Sequence, residues 1–499
     1  MSASAEQKLS LRALVALVVG SMIGSGIFVL PASFGRATGV AGGLIAWIIA
    51  GVGMLMLAFV FQTLSRRKPE LDNGIYAYAK AGFGQYLGFC SAFGYWIGAC
   101  LADTACLILI KATLGVFFPV FGDGTTIPAL ISASLLLWGV HFLVLRGIKN
   151  ATTLNSIATV AKIVPIGLFI VVVAAGFQAD VFALNFWGSD TPSVGSVAEQ
   201  VRATMLVTVF VFVGIEGASV YSRYAKNREY VGTATVLGFV GVLCLLILVT
   251  MLSFGVMLRE DLARLATPSM AGVLESVVGP WGAVFISVGL LISVLGNYLS
   301  WSLLAAEVVH SAASNDTMPR FLARENARKV PAAALWLTNI VIQLFLLVSF
   351  YAEYAFTLAL KMTSAMTLIP YLLVAAYSFK LAATGETYDS ASRSRGVDWV
   401  RGAVATLYAL LMIVAGGAKF LLLSALIYAP GTILYVMARR EQNLGLFTAA
   451  ERAVLAVILA GAAVAVRKVQ KNRYQLRLPD GTARVRVRYH VHAAELTVR

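Results

Sequence analysis

The stretch 20-GSMIGSGIFVLP-31 places three glycines, two serines and a proline within twelve residues of the first long apolar segment. Glycine lowers the cost of leaving helical geometry, so Gly20, Gly24 and Gly26 predict a break in a helix that otherwise crosses a bilayer. Unwound backbone is tolerated at that depth only where it faces protein or a polar cavity. The alternative is that Gly20 and Gly24 form a GxxxG face for helix packing.

A second interrupted segment is 209-VFVFVGIEGASVYSRYAKN-227, in which Gly214 and Gly217 flank Glu216 in mid-span. When the apolar segments are numbered from the N-terminus, the first break falls in span 1 (12–38) and the second in span 6 (199–222). This spacing predicts a 5+5 inverted repeat in which spans 1–5 and 6–10 each begin with an interrupted helix. Free N–H groups at such breaks attract a carboxylate and free carbonyls attract an ammonium group, so we expect the two breaks to hold a zwitterion.

The composition predicts an all-α polytopic membrane protein. The chain has 499 residues, of which 59% are hydrophobic and 13% charged, and its mean hydropathy is +0.83. Apolar windows of about 20 residues recur along it, which is the length of a membrane-spanning helix. We predict twelve spans, at 12–38, 40–64, 86–112, 127–146, 151–177, 199–222, 231–258, 281–311, 332–351, 354–379, 400–418 and 420–438. Segment 446–466 is a candidate thirteenth span.

Basic residues cluster in alternate loops, including 66–68, 223–228 and 320–329, so the positive-inside rule puts the N-terminus in the cytoplasm. A thirteenth span would carry the basic tail to the outside, against the positive-inside rule. Segment 446–466 is therefore interpreted as a span, a helix on the membrane surface or a peripheral element. In the tail, 475–491 predicts an exposed hairpin. The predicted organisation is a cytoplasmic N-terminus (1–11), a first repeat (12–177), a second repeat (199–379), spans 11 and 12 (398–440), segment 446–466 and the tail 467–499.

The sequence predicts no metal site, no cofactor and no nucleic-acid partner. The net charge of +15 is spread over loops and tail. His141 and His310 are isolated, so packing or a loop contact is expected for each. No His/Cys/Asp cluster or nucleotide-binding loop argues for a membrane-embedded enzyme. All cysteines lie in apolar spans and are interpreted as small packed residues; they are Cys90, Cys100, Cys106 and Cys244.

Few ionisable residues lie inside the spans, and each is costly enough there to be a functional candidate. They are Asp103, Lys162, Glu216, Glu307 and Lys361. Asp103 could receive a cationic substrate side chain, or make a structural contact such as a salt bridge to Lys111. Lys162 could supply a positive charge where coupled transporters bind sodium, or reach the cytoplasmic surface. Glu216 is interpreted as a structural or proton-linked acid, and Glu307 and Lys361, nearer span ends, as structural.

Four segments resemble the basic amino acid/polyamine antiporter branch of the amino acid–polyamine–organocation superfamily, and most closely its arginine/ornithine antiporters. They are 20–31, 69-PELDNGIYAYAKAGFGQYLGF-89, 210-FVFVGIEGASVYSRYAKN-227 and 300-SWSLLAAEVVHSAASNDTMPRFLARENARKVP-331. The resemblance implies that the first break binds the substrate backbone through Ile23, Gly24, Ser25, Gly26 and Ile27. It also implies pocket or gating roles for Asp103, Cys106, Phe210, Val213, Glu216 and Trp301, and a sodium-site surrogate role for Lys162.

Some residues depart from the pattern of the family. Phe210 stands where arginine/agmatine exchangers have tryptophan, Ser21 where they have asparagine, and Asp103 is acidic where they are neutral. These departures suit a doubly basic amino acid.

The resemblance implies arginine/ornithine exchange by alternating access in a bacterial inner membrane, with lysine as a further substrate candidate and a homodimer left open. The alternative is a proton-coupled permease for lysine or another amino acid.

Overall fold

The computed structural model describes residues 10–71, 74–147, 151–188, 193–216, 226, 229–352, 355–389 and 394–474, and within these ranges it contains helices and no strands. The predicted hairpin at 475–491 and the rest of the tail lie outside them. The limits of the two repeats stay a prediction.

The first predicted span is divided into α1 (Leu11–Met22), a 3-10 segment (Ser25–Val29) and α2 (Leu30–Ala37). The helices that follow are α3 (Val40–Arg67), α4 (Ile75–Phe83), α5 (Gln85–Phe117), α6 (Ile127–Leu145), α7 (Ala151–Ala175), α8 (Ala179–Leu184), α9 (Val194–Phe210), α10 (Glu229–Ser253), α11 (Arg259–Arg264), α12 (Ser269–Val278), α13 (Pro280–Ser314), α14 (Ala332–Ser349), α15 (Ala355–Thr384), α16 (Ser394–Glu441) and α17 (Ala449–Tyr474). Two further 3-10 turns are Pro119–Phe121 and Arg320–Ala323.

The break in the first span lies within the glycine-rich stretch. Gly24 has extended backbone (φ −112°, ψ −152°), and the helical directions on its two sides differ by 41°. Pro31 lies in the first turn of α2, where no N–H group is required. The helix that precedes the second break ends at Phe210, and residues 211–216 form turns, with Gly214 at φ +107°. Gly217 and the remainder of that predicted span lie outside the described residues.

The predicted number of twelve spans is not reproduced. In the described part of the chain, nine helices are long and apolar enough to cross a membrane, or ten with the bent first pair. Predicted spans 5 and 6 adjoin gaps in the description. Predicted spans 11 and 12 merge into α16, whose 48 residues would be about 72 Å long if straight, over twice the hydrocarbon thickness. Non-helical Gly417 (φ 78°, ψ 170°) divides α16 close to the predicted boundary. Segment 446–466 is helical from Ala449 onward, as part of α17, and this helix packs against α16.

Helix α5 is the centre of the bundle, because nearly all of its residues between Tyr86 and Thr113 are buried. It packs against α4, α13 and α15. Where lipid surrounds the helices, close packing and interhelical hydrogen bonds stabilise the bundle more than apolar burial does. One such bond joins Trp96 Nε1 to Thr338 Oγ1 at 3.0 Å.

The interpretation of the cysteines is correct for three of them and wrong for the fourth. Cys90, Cys100 and Cys106 are buried and packed, whereas Cys244 is exposed on α10, a helix with a partly uncovered apolar face. All four thiols are free. The searched part of the chain has no group of three or more His, Cys, Asp or Glu side chains suited to a metal ion.

Candidate functional site

The two breaks meet each other. Ser21 Oγ, in the last turn of α1, donates a hydrogen bond of 2.9 Å to the carbonyl of Gly214. A Cβ atom on Gly214 would lie 2.6 Å from the Ser21 carbonyl oxygen, and one on Gly26 would lie 2.9 Å from the Phe210 ring. Glycine is therefore required at both contacts, because any side chain would separate the segments.

A cavity of about 20 Å³, large enough for about one water molecule, lies where the breaks meet. It is enclosed by the first break, the end of α9 and residues from α5, α10 and α13. The residues predicted from the sequence that line it are Gly24, Ser25, Gly26, Ile27, Cys106, Phe210, Val213 and Trp301. Ile23, Asp103 and Glu216 are buried nearby but do not line it. Lys162 lies behind the first break.

Lys162 contacts the broken helix directly. Its side chain is 1% exposed, and its Nζ donates to the Gly20 carbonyl at 2.8 Å and to Asn297 Oδ1 at 3.3 Å. The alternative in which this lysine reaches the cytoplasmic surface is therefore wrong. The ammonium neutralises backbone carbonyl dipoles at the end of α1 and connects that end to α13.

Asp103 is a buried acid with no hydrogen-bond partner in the described part of the chain. It is 0% exposed, and neither carboxylate oxygen has a hydrogen-bond partner within the described ranges. The alternative salt bridge to Lys111 is not formed. Because residues i and i+3 share a helix face, Asp103 lies on the side of α5 that presents Cys106 to the cavity. A buried carboxylate with no partner is costly, so a cationic ligand group would stabilise it.

Glu216 follows the second break and is bound by side chains of two other helices. The Tyr95 hydroxyl, on α5, donates to Oε1, and the Tyr371 hydroxyl, on α15, donates to Oε2 at 2.6 Å. The Gly214 N–H group donates to Oε2 at 3.3 Å. Hydrogen bonds to an ionised acceptor are among the stronger ones, so Glu216 anchors the second break to α5 and α15.

The aromatic side chains connect this anchor to the cavity. The rings of Tyr95 and Trp301 have centroids 6.5 Å apart, and Trp301 lines the cavity. Phe210 closes another side of it, against Gly26. Through Tyr95, a change at Glu216 can therefore reach the aromatic wall of the cavity.

Several site residues were missed from the sequence. Asn297 lines the cavity, accepts from Lys162 and donates to Cys106 Sγ at 3.6 Å. It lies four residues before Trp301 on α13, so a polar residue one turn from a candidate residue was the available signal. Tyr95 and Tyr371 carried no such signal, because tyrosine in an apolar helix is common at packed positions.

The remaining ionisable candidates lie away from the cavity. The side chain of Glu307 is 62% exposed and 4.0 Å from His310, which is 3.4 Å from Glu325. His141 is buried, and its Nδ1 is 2.9 Å from Asn339 Nδ2. Lys361 lines a separate cavity between α9, α15 and α16. The contacts of the two histidines agree with the expected packing and loop roles.

Comparison with known proteins finds relatives over nearly the whole chain. A sequence model described as amino acid permease matches residues 9–438. The chain is 55% identical over 471 residues to the arginine/ornithine antiporter of Pseudomonas aeruginosa, and the alignment covers 93% of this chain and 98% of that protein. It is 41% identical over 480 residues to the L-lysine transport protein of Corynebacterium glutamicum, covering 93% of this chain and 96% of that protein.

A solved structure shares the fold. The crystal structure of MhsT in complex with L-phenylalanine superposes with a TM-score of 0.57 at 14% sequence identity, covering 83% of this chain and 100% of that one. This likeness concerns the fold alone. It agrees with the fold class predicted from the sequence, an all-α membrane protein with interrupted first and sixth helices.

Proposed function

Because the chain belongs to the amino acid permease family, we propose that it exchanges cationic amino acids across a membrane. The preferred substrate pair is arginine and ornithine. The family consists of transporters, so the enzyme alternative is set aside. The observation that carries the choice of substrate is the buried carboxylate of Asp103, which has no partner among the described residues and lies one helical turn from the cavity residue Cys106.

The backbone of the substrate would bind at the first break. In this proposal, residues 23–27 receive the α-carboxylate and α-ammonium groups, since interrupted helices offer backbone N–H and carbonyl groups that an intact helix does not. Lys162 holds the Gly20 carbonyl and Asn297 from the far side. An ammonium group at that position would hold the break in its geometry without a sodium ion.

The side chain of the substrate would be recognised by Asp103 and Trp301. A carboxylate pairs with a guanidinium or ammonium group through charge-assisted hydrogen bonds, and an indole face attracts a cation. Trp301 lines the cavity and Asp103 lies behind Cys106, so the pocket must open between them when substrate enters. A cavity of about 20 Å³ is too small for an amino acid, so entry requires the breaks to move apart.

Alternating access would supply that movement. We propose that the two interrupted spans, with α3 and α10, rock against a scaffold that contains α5, α13 and α15. Glu216 joins the moving and fixed parts through Tyr95 and Tyr371, and Phe210 closes the cavity against Gly26. Arginine and ornithine are both monocations, so their exchange is charge-neutral and needs no ion gradient.

The proposed setting is a bacterial inner membrane with the N-terminus in the cytoplasm. The alternation of basic loops supports that orientation. The proposed repeats are 12–177 and 199–379. Whether the protein forms a homodimer can be tested by a size measurement.

Counterflow in proteoliposomes tests this function. Labelled arginine should enter vesicles loaded with ornithine and should not accumulate in empty vesicles. The rival function, a proton-coupled lysine or other amino acid permease, is supported by the 41% identity to an L-lysine transport protein. Uptake into empty vesicles that rises with an inward proton gradient would favour that rival and contradict exchange.

A further inference from the structure

A second polar cavity lies at the end of α5, outside the candidate site. It has a volume of about 140 Å³ and lies between the ends of α2, α5 and α14, the start of α15 and the loop that follows α5. Lys111 lines it and is only 3% exposed. No hydrogen bond or ion pair of this lysine is found within the described ranges of the chain.

An ammonium group that is almost buried and faces such a cavity is stabilised by acceptors or by an anion held there. Burying an unpaired cation costs several kcal/mol unless hydrogen-bond acceptors or an anion surround it. The other cation of the cavity is Arg36, whose guanidinium also donates to the Ala263 carbonyl at 2.8 Å. Asp123 is the acid on the wall, and it lies beyond ion-pair distance of Lys111. The charge balance of this cavity is therefore positive.

The other polar groups of the wall are donors suited to an anion. The Ser349 hydroxyl already donates to the Leu346 carbonyl at 2.7 Å, and the remaining hydroxyl groups come from three different loops or helix ends: those of Thr125, Thr267 and Thr357. A hydroxyl can donate to an oxyanion while an ammonium neutralises its charge, and phosphate offers acceptor oxygens in several directions. The set of Lys111, Arg36 and these hydroxyls therefore matches a small oxyanion better than a cation.

We propose that this cavity binds a phosphate-class oxyanion through Lys111, at a site separate from the transport cavity. The helical positions support the separation. Successive residues of a helix turn by about 100°, so Lys111 lies about 140° around α5 from Cys106, and Ile108 and Ala112 lie about 160° and about 120° from it in the opposite sense. The bound anion would join Arg36 on α2 to Lys111 on α5. The proposal does not depend on which amino acid the protein carries.

Thermal unfolding of the purified full-length protein in detergent tests the site. Inorganic phosphate is titrated at an ionic strength matched with sodium chloride. The Tm of the wild-type protein should rise by roughly 2–3 °C when phosphate reaches about one hundred times its Kd. Lys111→Arg should keep the rise, and Lys111→Met should lose it. Lys419→Met, at an exposed lysine of α16, is the matched control and should keep it.

Without phosphate, Lys111→Met should have a Tm equal to or above that of the wild type, because it removes an almost buried charge that has no ion-pair partner within the described ranges. Lys111→Gln is a second neutral variant should the methionine protein fail to fold. Nanodiscs of phosphatidylglycerol and of phosphatidylcholine separate the two sources of phosphate. Stabilisation by phosphatidylglycerol that requires Lys111 assigns a lipid headgroup, whereas stabilisation by inorganic phosphate assigns a free anion. No rise from either source, or an equal rise in Lys111→Met, would overturn the proposal.

Discussion

Ser21 Oγ donates a hydrogen bond of 2.9 Å to the carbonyl of Gly214, although 193 positions of sequence separate the two residues. The same hydroxyl lies 2.9 Å from the Val18 carbonyl, so its single proton is shared between the end of α1 and the second break. In this way the first break supplies a donor to a carbonyl of the second break. The interruption of one helix is therefore stabilised by the interruption of the other, and the cavity between them depends on both.

The contact predicts that Gly214→Ala strongly slows exchange. Gly214 has φ +107°, and its added Cβ would lie 2.6 Å from the Ser21 carbonyl oxygen. Strain of this kind costs about 1–3 kcal/mol, and the separation of the breaks should lower the exchange rate more than tenfold. Gly241→Ala on α10 is the control, because nothing lies within 4 Å of its Cβ position. Normal counterflow in Gly214→Ala would show that the breaks need not touch.

Asp103→Asn should separate recognition of the substrate side chain from recognition of its backbone. Loss of a buried charge pair costs about 2 kcal/mol or more, so arginine affinity should fall at least about 30-fold while leucine affinity stays unchanged. The Tm without substrate should not fall, since the removed carboxylate has no partner in the described structure. Binding is measured by scintillation proximity or calorimetry. Glu307→Gln, at an exposed acid, is the control. An equal loss for arginine and leucine would make Asp103 structural.

Glu216 and Tyr371 should be energetically coupled. The Tyr371 hydroxyl donates to this carboxylate at 2.6 Å in a buried setting, and hydrogen bonds to charged groups contribute about 1.5–3 kcal/mol. Glu216→Gln and Tyr371→Phe should therefore each lower Tm and exchange rate, and the double variant should lose less than the sum. Tyr408→Phe should be close to neutral, because that buried hydroxyl has no partner within the described ranges. Additive losses would rule out a shared anchor.

Lys162→Met should disrupt the first break without any change in side-chain preference. The variant removes the donor to the Gly20 carbonyl and to Asn297, so buried acceptors lose their partner at about 1–3 kcal/mol each. Arginine and leucine affinities should fall together. Lys361→Met, on α15, should leave both affinities within twofold, since that lysine lines a different cavity. A selective loss of arginine binding in Lys162→Met would contradict a backbone role.

Part of the site could be predicted because its signals are local. Three glycines in seven residues predict a break wherever they occur in an apolar helix, and the first break lies at Gly24 as the pattern requires. Asn297 and Tyr95 could not be assigned in the same way. Their roles come from neighbours on other helices, Lys162 for one and Glu216 for the other. No periodicity within α13 or α5 encodes those neighbours.

The number of spans illustrates the same limit. Hydropathy located both halves of α16, and non-helical Gly417 separates them close to the predicted boundary, but the hydropathy alone does not identify that residue as the break. Hydropathy records how long a segment is apolar, and it does not record whether the backbone between two apolar segments stays helical.

The sequence by itself determined that this chain is a bundle of apolar helices, that the first and sixth are interrupted, and which few charges are buried in it. Those properties follow from the composition and from the positions of the glycines, and both can be recognised within a local segment of the sequence. Only the tertiary structure decided that Lys162 supports the first break, that Glu216 is held by two tyrosines, and that Asp103 has no partner among the described residues. The reason is that the cost of a buried charge depends on which atoms of distant segments surround it, and folding alone brings those atoms together.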